Sequence, residues 1–325
     1  MPIRRVGLVL LLFLMVRVPA TAQIAPAATA KAPEGQSAIR VNVNLVDLPV
    51  SVTNSRGQFV SGLAQGNFRI YEDGRAQKIT IFDDEDIPAT VGLLVDHSGS
   101  MRPILPEVTA AVIAFAQSSN PNDEMFVVDF NDIVSLELPA AIPFTSNFRE
   151  LEKAVSEVRA EGRTALNDAI MVALDQLHSA HHDRQALIIV SDGGDNASKN
   201  KFAQVLSEAR ASKASIYSIG ILGATEADQN PGMLEKLAKA TGGKAYFPHS
   251  VSEVAAICAQ IARDIREQYI LGYSPSSADL EGSYRKIEVK VDAPNHERLH
   301  VRTRAGYELP PKLTPHSPVS APGTS

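Results

Sequence analysis

The segment Val91–Met101, VGLLVDHSGSM, decides the fold. Its first part, Val91–Val95, is apolar and rich in valine and leucine, which is typical of a short strand buried on both faces of a parallel sheet. Gly99 lets the backbone bend after this strand. Ligands of open parallel sheets bind beyond the carboxyl ends of the strands, so we expect a site here. Three oxygen-bearing side chains follow the strand at alternate positions, namely Asp96, Ser98 and Ser100.

The chemistry of these side chains indicates a cation. A carboxylate with two hydroxyls is an all-oxygen ligand set, which suits Mg²⁺ or Mn²⁺ better than zinc. The alternative is that the aspartate only caps the turn or helix that follows it.

The three side chains form the pattern D-x-S-x-S, which resembles the metal-ion-dependent adhesion site of von Willebrand factor A domains. Two further segments resemble that family: GRTAL at Gly162–Leu166 is similar to its G-x-T-x-L loop, and SDG at Ser191–Gly193 is similar to its strand-end motif. Helix or turn capping explains one such segment but not all three in this order. The resemblance covers about residues 89–266 and implies five metal-ligand positions, Asp96, Ser98, Ser100, Thr164 and Asp192.

The resemblance also implies a fold and a function. The expected fold is α/β, a doubly wound, mainly parallel, Rossmann-like sheet, and the expected cofactor is Mg²⁺, or else Mn²⁺ or Ca²⁺. In the family the two aspartates often act through waters, and the residue at the position of Thr164 rearranges on ligation. Neutral hydroxyl ligands leave much of the charge of the metal unquenched. We therefore expect an open coordination position that attracts an Asp or Glu carboxylate of a protein partner, in a metal-dependent adhesion or scaffolding module.

Other classes of function have weaker support. The chain lacks G-x-S-x-G, G-x-x-x-x-G-K-[ST] and G-x-G-x-x-G patterns, so serine-hydrolase, nucleotide and dinucleotide chemistry have no signature. A net charge of −6 without a basic block argues against nucleic acid. We therefore expect that the protein is not an enzyme. A metal-assisted hydrolase would need a base, for which His97 and Asp195 are the candidates. A third alternative is a structural protein of the envelope in which the metal only stabilises the fold.

The order of the segments predicts the domain organisation. Arg4 and Arg5, an apolar run at 6–16 and Ala20-Thr21-Ala22 predict a secretory signal peptide over 1–22, hence a secreted, periplasmic or cell-envelope protein. The run is too short to span a bilayer, which needs about 20 residues. The remaining segments are a linker at 23–40, a β segment at 41–86, the A domain at 87–267, a second β segment at 268–309 and a disordered tail at 310–325. We expect the two β segments to pack as one module.

Hydrophobic periodicity predicts the individual elements. Strands are expected at 41–52, 59–60, 68–71, 78–82, 91–95, 125–130, 186–190, 216–221, 245–247, 269–273, 285–291 and 299–303. Helices are expected at 106–118, 148–158, directly after Thr164, at 202–212, at 233–240, and from a capping box at 250–253 to about 266.

A few other residues invite a functional interpretation. Asp195 and Asn196 follow the strand at 186–190. They are either groups that support the metal ligands, contacts for a partner, or a polar turn. The segment His181-His182-Asp183 lies in a polar loop, and no second cluster completes a zinc site, so we expect it to be solvated. His97 should point away from Asp96, since neighbouring side chains of an extended segment alternate. Cys258 lies in a helical pattern and is expected to be a buried apolar residue.

Overall fold

The computed structural model describes residues 45–156, 158–221, 229–276, 283–293 and 298–308. The predicted signal peptide at 1–22, the linker at 23–40 and the tail at 310–325 lie outside the described residues. Within them the strands are β1 Val46–Thr53, β2 Phe68–Glu72, β3 Arg75–Gln77, β4 Ile79–Asp83, β5 Ala89–Asp96, β6 Glu124–Phe130, β7 Val134–Leu136, β8 Arg184–Ser191, β9 Ser215–Gly220, β10 Ala245–Tyr246, β11 Tyr269–Tyr273, β12 Tyr284–Val291, β13 His300–Arg302 and β14 Gly306–Glu308.

Six of these strands form the sheet that carries the candidate site, in the order β10-β9-β8-β5-β6-β7. β5 pairs in parallel with β6 on one side and with β8 on the other, while β7 is antiparallel to β6. All eight residues of β5 are buried, which matches the apolar run that predicted a strand covered on both faces. The strands after β5 are added on one side of it up to β7, and those from β8 onwards on its other side. The topological switch point of the sheet therefore lies between β5 and β8.

The helices that cover this sheet are α1 Leu105–Ser118, α2 Phe148–Ser156, α3 Leu166–Gln176, α4 Phe202–Ala211, α5 Pro231–Thr241 and α6 Val254–Arg266. α1 packs against α2 and α6, whereas α3, α4 and α5 pack in succession. The predicted α/β, doubly wound and mainly parallel sheet is confirmed. In the described residues, no helix combines the length and apolar character needed to cross a membrane.

The flanking strands form two further sheets, β13-β1-β11-β4 and β14-β12-β2-β3. Each sheet combines strands from both flanks: β1 pairs with β11, and β2 pairs with β12, both antiparallel. Their inward side chains, among them Leu48, Ile70 and Tyr269, make a hydrophobic core distinct from that of the large sheet. Alternating strands bury one face only, and here each flank supplies part of the cover for the other.

The structure departs from the predicted elements in a few places. The segment at 59–60 is no strand but makes an isolated bridge from Phe59 to Thr53. β3, β7 and β14, of three residues each, were not predicted. The helix predicted at 148–158 ends at Ser156. Ser250 caps a 3₁₀ turn, Val251–Glu253, that precedes α6, so the predicted capping box does not open the α-helix itself.

Candidate metal centre

The site lies where β5 and β8 end side by side. Their parallel register pairs Val95 with Val190, so the next residues, Asp96 and Ser191, are neighbours. The hydroxyl of Ser191 donates a hydrogen bond of 2.6 Å to Oδ2 of Asp96. Two adjacent parallel strands thus deliver their first polar side chains to the same crevice.

The turn after β5 brings the two serines together. The backbone N–H of Ser98 donates to Oδ1 of Asp96 at 2.8 Å, an Asx turn that folds the chain back over the strand end. The Oγ atoms of Ser98 and Ser100 then lie 3.0 Å apart. From Gly99 a 3₁₀ segment, Gly99–Ile104, leads into α1, so the alternate oxygens of the motif face one point.

Asp192 closes this cluster from the end of β8. Its Oδ2 accepts a hydrogen bond of 3.0 Å from the hydroxyl of Ser100, and its Oδ1 accepts one of 2.9 Å from the N–H of Gly194. The structure therefore joins four of the five predicted ligand side chains, Asp96, Ser98, Ser100 and Asp192, through direct hydrogen bonds or shared partners.

Thr164 is placed beside this cluster by its backbone. Its N–H donates to Oδ1 of Asn196, and its carbonyl accepts from the N–H groups of Asn196 and Ala197, each at 3.0 Å. On the other side, the carbonyl of Gly162 accepts from the N–H of Gly99 at 3.1 Å. Among the described residues, the Thr164 hydroxyl makes no hydrogen bond to the other four ligand positions. Asn196 thus links the loop after β8 to the loop that carries Thr164.

Gly162 is required by the geometry of this loop. Its φ is +79°, and a Cβ there would lie 1.9 Å from a carboxylate oxygen of Asp132. The same carboxylate accepts hydrogen bonds from the backbone N and the Nε of Arg163, at 2.9 and 2.8 Å. A side chain at Gly162 would break the contact that positions the loop bearing Thr164.

The chain is similar to a known family of domains. The profile of the von Willebrand factor type A domain matches residues 91–260, which is just over half of the chain. This chain belongs to the von Willebrand factor type A (VWA) family. The matched range begins in β5 and ends in α6, so it contains all five predicted ligand positions of the VWA domain.

Individual relatives are distant. Inter-alpha-trypsin inhibitor heavy chain H4 of Homo sapiens is 25% identical over 178 residues, 52% of this chain and 19% of that protein. The chain therefore spans about a fifth of the length of that relative. A von Willebrand factor type A structure from Catenulispora acidiphila is 12% identical, with 83% of this chain and 75% of that chain covered and a TM-score of 0.49. Proximal thread matrix protein 1 of the mussel byssus, with a zinc-occupied MIDAS motif, is 15% identical, with coverages of 60% and 49% and a TM-score of 0.49.

The electrostatics of the VWA site fit a cation. The side chain of Asp96 is fully buried, and burial raises its pKa to about 6, although hydrogen bonds from Ser191 and Ser98 oppose the rise and the nearby charge of Asp192 adds to it. In the described part of the chain, no basic side chain forms an ion pair with Asp96 or Asp192. Two carboxylates with three hydroxyls and no protein cation are a suitable set for Mg²⁺ or Mn²⁺.

His97 points away from the cluster, as expected. It is fully buried, and its Nδ1 pairs with the carboxylate of Asp129 on the neighbouring strand β6. Burial lowers the pKa of His97, but the hydrogen bond and the charge of Asp129 outweigh that effect and leave the pKa raised. His97 therefore packs beneath the turn that carries the predicted ligands. It does not face the crevice and is no candidate base for hydrolysis there.

Four other residues could have a functional or an ordinary structural role, and the structure shows the contacts of each. Asn196 belongs to the site through its bonds to Thr164, whereas the carboxylate of Asp195 accepts from the Asn167 side chain. His181 is exposed and pairs with Glu124 at 2.7 Å, so the polar-loop interpretation of that segment holds. Cys258 is a buried free thiol, and burial raises its pKa to about 12.

Sequence reasoning missed two supporting residues. Ser191 was noted only as part of the S-D-G motif, although its hydroxyl bridges Asp96 and the N–H of Gly193 at 2.6 and 3.0 Å. Its place at a strand end next to Asp192 was the available signal. Asp129 had no signal, because it lies in an apolar strand, and only pairing of β5 with β6 brings it to His97.

Proposed function

We propose that this VWA domain is a metal-dependent protein-binding module. Asp96, Ser98, Ser100, Thr164 and Asp192 would hold one Mg²⁺ or Mn²⁺ ion, with Ca²⁺ as a further candidate. When bound, such an ion supplies a Lewis-acidic position that takes a carboxylate oxygen of a partner protein. The observation that carries the proposal is a buried, unpaired Asp96 whose neighbours offer only oxygens and N–H groups.

The residues of the chain have distinct tasks in this proposal. Asp96 and Asp192 would provide negative charge, and the three hydroxyl groups would provide neutral oxygen ligands. Ser191 and the N–H of Ser98 fix both oxygens of Asp96, while Asn196 fixes the loop of Thr164. Because the partner is expected to provide a charged oxygen, its own Asp or Glu should be essential. An adhesion or scaffolding role follows, with no catalytic step.

Metal binding is tested first, by calorimetry and thermal melting of the whole chain in Mg²⁺, Mn²⁺ and EDTA. A ligand present at a hundredfold excess over Kd stabilises the native state by about 2.7 kcal/mol. This stabilisation should appear in the wild type and vanish in Asp96→Ala. Glu161→Gln is the matched control, because it removes an exposed carboxylate near the loop of Thr164 without touching a ligand position. Equal melting of wild type in metal and EDTA would contradict the proposal.

The role of Thr164 is tested with a matched pair of substitutions. Thr164→Val keeps the shape but removes the hydroxyl, and Thr164→Ser keeps the hydroxyl. We expect Thr164→Val to weaken binding of Mg²⁺ and of an acidic partner, while Thr164→Ser retains both. Equal behaviour of the two variants would remove Thr164 from the ligand set.

The place of the protein in the cell follows from the predicted signal peptide at 1–22. We propose export with cleavage after Ala22, followed by residence in the envelope or outside the cell. Intact-mass analysis of the protein from its native host measures this directly. A mature chain that still begins near Met1 would rule out cleavage.

An assay for metal-dependent hydrolysis of peptides and phosphoesters, with Asp96→Ala as control, tests the alternative enzymatic function.

A further inference from the structure

The loop that carries Thr164 runs alongside the turn that follows β5. The N–H of Glu161 donates to the carbonyl of His97 at 2.9 Å, and the N–H of Gly99 donates to the carbonyl of Gly162 at 3.1 Å. Both hydrogen bonds join backbone groups, so they bring the two segments together without fixing them through any particular side chain.

Arg102 adds a side-chain contact between the same two segments. Its Nε and Nη2 both donate to the carbonyl of Ala160, at 3.0 and 2.8 Å. An arginine fork matches the two oxygens of a carboxylate, but in the part of the chain that the structure describes Arg102 forms no ion pair. Both donors are instead bonded to one backbone carbonyl at the start of the loop.

The backbone that carries Arg102 is itself fixed. Arg102 lies in the 3₁₀ segment Gly99–Ile104, where the preceding residue, Met101, is buried in the core of the large sheet. The following residue is Pro103, whose ring restricts φ. Because its own backbone is rigid, Arg102 can hold the Ala160 carbonyl in place rather than follow its motion.

The loop depends on such contacts for its position, since residues 158–165 form no helix or strand. At one end of the loop, the N–H of Thr164 donates to the side chain of Asn196 at 3.0 Å. At the other end, Arg102 holds the carbonyl of Ala160. The Thr164 hydroxyl is therefore carried by a loop that is bonded on both sides of the crevice.

We propose that Arg102 is a positioning residue of the cation site. It acts through Thr164 rather than as a ligand, because it keeps the loop where the Thr164 hydroxyl can join the other four ligand positions. This inference rests on the proposed function and adds to it a residue outside the ligand motifs. A loop that is already ordered loses less conformational entropy when a ligand binds. Arg102 should therefore strengthen cation binding although it is itself positively charged.

Calorimetry of the whole chain with Mg²⁺ alone tests this role, since no partner protein is then present. Arg102→Met should raise the Kd about tenfold, the effect of ordering roughly one more backbone residue on binding. A purely electrostatic role predicts the opposite sign, because removing a positive charge near a cation site strengthens binding.

Arg159→Met is the matched control. It removes the same charge from the residue next to Ala160, and Arg159 is exposed and has no hydrogen bond or ion pair within the described ranges. Its Kd for Mg²⁺ should equal that of the wild type. Arg102 is exposed as well, so we expect both variants to fold, and urea denaturation in EDTA measures this.

A double-mutant cycle shows whether Arg102 acts through Thr164. In the Thr164→Val background, which lacks the hydroxyl, Arg102→Met should cause no further loss of Mg²⁺ affinity. A general structural role would instead give the same loss in both backgrounds, and that result would overturn the inference. An unchanged or lower Kd for Arg102→Met in the wild-type background would overturn it too.

Hydrogen exchange of the metal-free chain gives an independent measurement of the loop. In EDTA, Arg102→Met should exchange the N–H groups of Glu161 and Gly99 faster than the wild type does, while the N–H groups of β5 exchange at the same rate. Equal exchange of the two proteins at Glu161 and Gly99 would contradict the positioning role.

The inference and the proposed function fail in different ways. If the wild type binds no Mg²⁺, the proposed function is wrong and the inference is wrong with it. If the wild type binds Mg²⁺ and Asp96→Ala does not, while Arg102→Met binds as tightly as the wild type, only the inference is wrong.

Discussion

Two buried carboxylates of this protein have opposite surroundings. Glu72, in the β module formed by the two flanks, is paired with the guanidinium of Arg285 at 2.8 Å and also accepts hydrogen bonds from Tyr273 and Tyr307. Among the described residues, Asp96 at the end of β5 accepts hydrogen bonds from Ser191 and Ser98 and pairs with no basic side chain. A buried charge is costly unless it is compensated. The chain compensates Glu72 itself, whereas no basic side chain of the described residues compensates Asp96, whose charge the proposed cation would balance.

The largest expected effect comes from removing the internal cation. Arg285→Met leaves Glu72 buried without its counter-charge, and we expect a loss of about 3–5 kcal/mol in the free energy of unfolding. Urea denaturation measures it. The double variant Glu72→Gln, Arg285→Met removes both charges and keeps an acceptor for the tyrosines, so it should recover most of the loss. A cost below about 1 kcal/mol for the single variant would show that the pair does not differ from Asp96 in the proposed way.

The second largest effect is a gain in stability, expected when Asp96 is replaced in the absence of metal. Burial raises the pKa of Asp96 from 3.8 to about 6, so the folded protein without metal holds this proton more tightly than the unfolded chain does. Stability from this group is then lost as the pH rises from about 4 to about 6, by about 3 kcal/mol. In EDTA at pH 7, Asp96→Asn should therefore be more stable than the wild type by up to that amount.

Urea denaturation in EDTA across pH 4–8 measures this difference. The advantage of Asp96→Asn should be largely lost near pH 4, where the folded wild type is protonated at Asp96 and the unfolded chain is about half protonated there. Saturating Mg²⁺ should stabilise the wild type and not the variant. Parallel pH profiles for the two proteins would mean that Asp96 carries no uncompensated charge.

The smallest effects come from one hydroxyl at each carboxylate. Tyr307→Phe and Ser191→Ala each remove a donor to a buried carboxylate, worth about 1.5 kcal/mol when the acceptor is charged. The cost of Tyr307→Phe should stay the same between pH 5 and pH 7, because Arg285 still pairs with Glu72. The cost of Ser191→Ala in EDTA should shrink at pH 5, since Asp96 then takes a proton and its hydrogen bonds weaken. Equal pH dependence in denaturation curves would contradict the comparison.

The sequence by itself determined the local parts of the protein. An uninterrupted apolar run predicts a buried strand; all of β5 is buried, and so is the apolar part of β8. The alternate oxygens after β5 and the left-handed glycine before Thr164 are also local requirements, set by the backbone of a few residues. The doubly wound sheet and the order of the three site segments could be predicted for that reason.

Only the tertiary structure decided which distant groups support the site. Ser191 reaches Asp96 across 95 positions of sequence, and Asn196 reaches Thr164 across 32. His97 contacts Asp129 because β5 pairs with β6. The packing of the two flanks was expected, but the order of their strands in two mixed sheets was not. Such contacts depend on strand order and register, which no local pattern encodes.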